Sequence, residues 1–93
     1  MTKVKKETIV LSVDKIKENS KNEKVHTNEN LALIRASLND VGYLTPIVVD
    51  ETDTILAGHG RFIVLKETEK EIEVIKITGL TGLQKDKFRI YDN

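Results

Sequence analysis

The chain contains no cysteine. That absence removes disulfides, thiolate metal ligands and cysteine nucleophiles together. Aromatic residues make up only 4% of the sequence, so its core must rest on Ile, Leu and Val. Proline occurs once, at Pro46. No sign of charge is in surplus, because 15 basic residues face 15 acidic ones, and a global field steering the chain toward nucleic acid is thereby excluded. Any nucleic-acid role must come from a local site or from a partner. No apolar run is long enough for a signal peptide or a transmembrane helix, so the expectation is a soluble cytoplasmic protein with no membrane contact.

What remains is 93 residues, 39% apolar and 32% charged, the composition of one small globular domain over 1–93. Charge is uneven along it. Residues 1–27 hold seven lysines against four acids, whereas residues 28–70 hold four basic groups against seven acids. Residues 1–6 read as a flexible, lysine-rich lead-in, and Glu7 to Val13 as a first, β-branched strand. A turn or a single helical turn capped by Asp14 should follow, and the polar run Asn19 to Lys24 should be a mobile loop.

Leu31, Ile34, Leu38 and Val41 recur at three- and four-residue spacing, which predicts a helix over about 28–41. Thr27 or Asn28 can cap it, and Gly42 is its left-handed stop. Pro46 then opens a strand through Ile47, Val48 and Val49, because its missing N–H costs least at a first position. Asp50 and Asp53 lie in a polar turn. They invite comparison with a metal pair, but aspartate is expected there for local backbone hydrogen bonds. Residues 54–57 form a second short strand, and a helix should run from Gly60 to Lys70 with Phe62, Ile63 and Val64 inward. Residues 71–78 alternate imperfectly, the phase slipping between Val74 and Ile75, as in a strand buried on both faces or bulged. Thr81 and Gln84 have capping-box spacing for a last helix through Leu83, Phe88 and Tyr91. That helix still runs near Asn93, so the chain reads as a fragment of something longer.

The chemistry concentrates at Gly58-His59-Gly60-Arg61, where a strand hands over to a helix. Glycines there let backbone N–H groups approach a ligand, and the helix start adds unpaired donors. Arg61 supplies a guanidinium fork suited to phosphate oxygens. Read from the residues, this is an anion site or simply a turn. His59 can contact a phosphate, act as a general base or cap the helix; His26 reads as a loop histidine.

The order strand, loop, helix, Gly42-Tyr43-Leu44-Thr45-Pro46-Ile47-Val48-Val49-Asp50, Ile55-Leu56-Ala57-Gly58-His59-Gly60-Arg61 resembles the ParB N-terminal domain, also called ParB-like nuclease, of the ParB/sulfiredoxin superfamily. The tail from Gly79 to Asn93, with Arg89, Asp92 and Asn93, resembles members associated with phage-type DNA methyltransferases. The resemblance implies an α+β fold, with a small curved mixed sheet and about three helices packed around it. It implies that Gly58, His59, Gly60 and Arg61 bind the phosphates of a nucleoside triphosphate, CTP or ATP, with Mg2+. Thr45, Pro46 and Ile47 match the segment beside the nucleobase. DNA, a DNA methyltransferase and a second copy are the implied partners.

The loop departs from the partition-type Gly-Glu-Arg-Arg by one acid and one arginine. Without cysteine, sulfiredoxin activity is excluded. Besides nucleotide binding in DNA modification, partition or regulation, two readings stay open. One is a metal-dependent nuclease with His59 as its catalytic candidate. The other is a non-catalytic interaction module that keeps the fold.

Overall fold

A computed structural model describes residues 3–19 and 26–92, with side chains through residue 89. Its elements are β1 (Lys5–Ser12), α1 (Asn28–Val41), β2 (Ile47–Val49), β3 (Ile55–Ala57), α2 (His59–Leu65), β4 (Glu71–Thr78) and α3 (Gly82–Asp92), with a short 3-10 turn over Val13–Lys15. The four strands form one mixed sheet in the order β1-β4-β2-β3. Strand β4 is antiparallel to β1 and parallel to β2, while β2 and β3 form an antiparallel hairpin. The α+β mixed-sheet expectation holds.

Strand β4 is central, which explains its broken alternation. Ile72 and Val74 are buried between exposed Glu71 and Glu73, but from Ile75 to Thr78 both faces are half-covered. Its register with β1 runs unbroken from Lys5↔Thr78 to Ser12↔Glu71, so no bulge lies there. The irregularity falls instead in β2 opposite β3, between Val48 and Val49. Val74 pairs with Ile9 on one side and Ile47 on the other. Ile47, Val49 and Val74 are wholly buried, and Ile16, Ile55, Phe62 and Ile72 complete the core around them. This is the aliphatic core that the aromatic-poor composition requires.

Two helices follow their sequence signals closely. In α1 the Asn30 N–H donates to Thr27 Oγ1, and Gly42, at φ 84°, donates its N–H to Leu38 at 3.0 Å. In α3 the capping box is reciprocal: Thr81 N–H donates to Gln84 Oε1 and Gln84 N–H to Thr81 Oγ1.

Elsewhere the structure corrects the expectation. Strand β1 begins at Lys5, so Lys5 and Lys6 belong to the sheet and not to a lead-in, because β4 is long enough to pair them. The 3-10 turn is capped by Ser12, whose hydroxyl accepts from Asp14 N–H, and not by Asp14 itself. Helix α2 starts at His59 and ends at Leu65, short of Lys70. Its buried side is Gly60, Phe62 and Val64, with Ile63 only half-buried. Residues 66–70 are all exposed, and such a charged stretch has no apolar face to hold β-branched helix residues in place. Of the expected mobile loop, residues 20–24 lie outside the described residues, as does Asn93 of the tail.

Candidate functional site

The segment after the 3-10 turn runs beside β3. Lys17 N–H donates to the Asp53 carbonyl, and Ile55 N–H donates to the Lys17 carbonyl, closing a parallel bridge between Lys17 and Thr54. That bridge covers the open edge of β3 and delivers Glu18 to the start of α2. Strand β3 then ends in Gly58, whose backbone is left-handed at φ 94° and ψ 26°. A Cβ there would stand 2.9 Å from Arg61 Nη2 and 3.2 Å from Ile47 Cα. Glycine is required on both counts.

From this turn the motif residues diverge. His59 Nε2 meets Glu18 Oε1 at 2.7 Å, and its ring packs edge-on against His26 with centroids 5.2 Å apart. Its Nδ1 is buried without a hydrogen-bond partner among the described residues. One ring nitrogen is thus held by a carboxylate and the other is covered. Gly60 faces α1, where a Cβ would stand 2.7 Å from Ile34 Cδ1 and 3.1 Å from His26 Cε1. Its role in the fold is close helix approach.

Arg61 turns the other way. It lines a cleft of about 240 Å³ with Ile34, Ser37, Leu38 and Val41 of α1 and with Gly42, Leu44 and Thr45 beyond it. It makes no ion pair among the described residues. Nη2 donates to the Pro46 carbonyl at a long 3.4 Å, while Nε is buried without a hydrogen-bond partner among the described residues. Of the three residues expected beside a nucleobase, Thr45 lines the cleft and Pro46 holds Arg61. Ile47 is wholly buried, so its side chain serves the core.

One participant carried no local signal. The Tyr43 hydroxyl accepts from Ile47 N–H at 2.7 Å and donates to the Glu73 carbonyl at 2.8 Å, fastening the start of β2 to β4. Burial pushes its phenol above the usual value, outweighing the Ile47 hydrogen bond, so it is protonated at neutral pH and able to donate.

The turn acids are otherwise engaged. Asp50 Oδ1 accepts from Thr52 N–H, Thr52 Oγ1 and Thr54 N–H, and Oδ2 lies 3.1 Å from Lys85 Nζ of α3. Burial pushes this carboxyl up, but those hydrogen bonds and the ammonium hold it below its usual range. Asp53, itself left-handed at φ 64°, pairs with Lys76 at 2.8 Å. No His, Cys, Asp or Glu cluster suited to a metal ion occurs among the described residues. Arg89 is buried against Asp86.

A four-stranded mixed sheet, a strand–glycine–helix junction and an arginine facing a half-apolar cleft define a small α+β domain built around that junction. The ParB-like nuclease domain-containing protein YnaK of Escherichia coli K12 is 33% identical over 67 residues, covering 71% of this chain and 77% of that one. The chain therefore belongs to the ParB-like nuclease domain family. No family model matches it.

Among solved structures, the Pnob8-like ParB N domain aligns with 95% of this chain at a TM-score of 0.74 and 23% identity. The C-terminally truncated chromosome-partitioning protein ParB from Caulobacter crescentus, complexed with CTP-γ-S, aligns with 94% at a TM-score of 0.75 and 20% identity. Those alignments take in 36% and 52% of the two solved chains, so this chain corresponds to about a third to a half of each.

Proposed function

We propose that this domain binds the phosphates of a nucleotide in the cleft beside α1, in the service of DNA partition, modification or regulation. The observation that carries this reading is Arg61, a guanidinium lining the cleft with no ion pair among the described residues and only one long hydrogen bond. An arginine so held has most of its donors left for an anion. Gly58 leaves room for the guanidinium above the turn, and the first N–H groups of α2 have no intrahelical partner. The half-apolar α1 wall suits the flat face of a base, with Thr45 at its rim. A ParB with the same fold is complexed with CTP-γ-S, which makes CTP with Mg2+ the first ligand to test and ATP the second. DNA, a DNA methyltransferase and a second copy are the proposed partners.

A thermal-shift panel of CTP, ATP, GTP, S-adenosylmethionine and sulfate, each with and without Mg2+, tests the reading. At least one nucleotide should raise Tm in a concentration-dependent way, by the mass action of binding to the folded state alone. Arg61→Ala should abolish the rise. A flat panel, or a rise that survives Arg61→Ala, would refute it.

The relative's name keeps metal-dependent nuclease activity as a second reading. His59 is its candidate base, with one ring nitrogen held by the Glu18 carboxylate and the other covered. Mg2+-dependent plasmid cleavage that vanishes in His59→Ala would support it.

A further inference from the structure

The peptide unit between Pro46 and Ile47 is gripped at both ends. Its N–H donates to Tyr43 Oη at 2.7 Å, and its carbonyl accepts from Arg61 Nη2 at 3.4 Å. The same hydroxyl donates to the Glu73 carbonyl at 2.8 Å. The direction of each bond is fixed, because an amide N–H can only donate and a carbonyl can only accept. A single line therefore runs from β4 through Tyr43 and the peptide to the cleft's arginine. Each amide that donates becomes a better acceptor at its own carbonyl, so the Tyr43 end strengthens the Arg61 end.

We propose that Tyr43 is a positioning residue. Its hydroxyl fixes the plane of the Pro46–Ile47 peptide and so sets the resting place of the Arg61 guanidinium above Gly58. This rests on the reading of the cleft as a phosphate site. A tyrosine filling space against the core would need only its ring, and phenylalanine would serve as well. The hydroxyl instead meets a backbone N–H belonging to a wholly buried residue. Its removal takes a short hydrogen bond from that N–H and loosens the peptide's tilt. The two bonds at Tyr43 are short and the one at Arg61 is long, so the peptide is held firmly while the guanidinium is released readily to a phosphate oxygen, a stronger acceptor.

The test is Tyr43→Phe, read two ways. In the unliganded protein, the Arg61 Nε–H and Ile47 amide signals in a 15N-correlated NMR spectrum should move, while the β1 amides stay in place. In titration with CTP and Mg2+, Kd should rise about tenfold, the scale of one lost positioning hydrogen bond. The double variant Tyr43→Phe/Arg61→Ala should bind no worse than Arg61→Ala alone. An unmoved Arg61 signal would overturn the proposal, as would an unchanged Kd. If the Arg61 signal moves but the wild-type protein binds no nucleotide, Tyr43 still positions Arg61 and the phosphate reading falls instead. Should Tyr43→Phe fail to fold, 3-fluorotyrosine at position 43 alters the hydroxyl's hydrogen bonds with little change of shape. The same Arg61 signal must then move, and its failure to do so would overturn the proposal equally.

Discussion

Glu18 and His59 meet across 2.7 Å, carboxylate Oε1 against ring Nε2, although 41 residues separate them in sequence. The contact pins the segment leaving β1 to the first residue of α2, and Lys66 stands 4.0 Å from the other carboxylate oxygen. His59 is thereby a strut at the turn, while Arg61 faces the cleft. His59→Ala should keep most of any nucleotide-induced Tm rise, whereas Arg61→Ala should lose it. Glu18→Gln should cost less than about 1 kcal/mol in urea denaturation, the range for a partly solvated pair. A ligand response lost in His59→Ala but kept in Arg61→Ala would reverse the assignment.

The two glycines of the motif should respond differently to alanine. At Gly58 the left-handed backbone alone costs about 1–2 kcal/mol for a residue with a Cβ. The new methyl would also meet Ile47 Cα at 3.2 Å and displace the Arg61 guanidinium, so binding should fall with stability. At Gly60 the methyl meets the free end of Ile34, which can swing aside, and the His26 ring, which must give by a few tenths of an ångström, while alanine gains about 1 kcal/mol of helix propensity. Gly60→Ala should therefore stay within about 1 kcal/mol of wild type. Chemical denaturation of both variants, with nucleotide titration, separates the two roles.

Asp50 should make the fold acid-sensitive. Its folded carboxyl titrates below the ordinary value of 3.8, so its contribution is complete above that value and drains away as pH falls through the lower folded one. At pH 7, Asp50→Ala should cost about 2–3 kcal/mol, the scale of hydrogen bonds to a charged group. The gap between wild type and variant should narrow steadily below pH 4 or so. A gap that widens on acidification would contradict the assignment.

Core and surface should part as sharply. Phe62 is 3% exposed, and Phe62→Ala should cost about 3–5 kcal/mol, a large share of the roughly 5–15 kcal/mol that holds a domain folded. Leu33, on α1, is 71% exposed, and Leu33→Ala should change stability by no more than about 0.5 kcal/mol. Paired urea melts decide it.

Elements whose causes are local were the legible ones. Helix α1 was readable from its periodicity, Thr27 and Gly42, and α3 from the Thr81–Gln84 box, because both ends of each signal lie within a turn of chain. The β2–β3 hairpin was equally plain in Asp50 and Asp53. What sequence could not supply were contacts between distant residues. Lys5 joins the sheet only because Thr78 is there to pair with it. The closeness of Ile34 and His26 to Gly60 has no signal in the local sequence. Tyr43 reaches Glu73 and Glu18 reaches His59 over 30 and 41 residues, with no spacing rule to announce either. The end of helix α2 is hidden for a related reason: its propensity is poor, and only the buried Phe62 and Val64 say where it stops.

Helix α1 has no buried residue, although it supplies one wall of the cleft. Beyond Ile34 at Gly60, a partly exposed Arg35–Glu67 pair at 2.8 Å links it to the chain just past α2. Such an element opens at a lower free energy than the strands that share the core. In amide hydrogen exchange α1 should therefore lose its protons well before β4 does. The wall of the cleft should therefore open before the sheet does, and a ligand seated between α1 and Arg61 would register first as slowed exchange along residues 31–41.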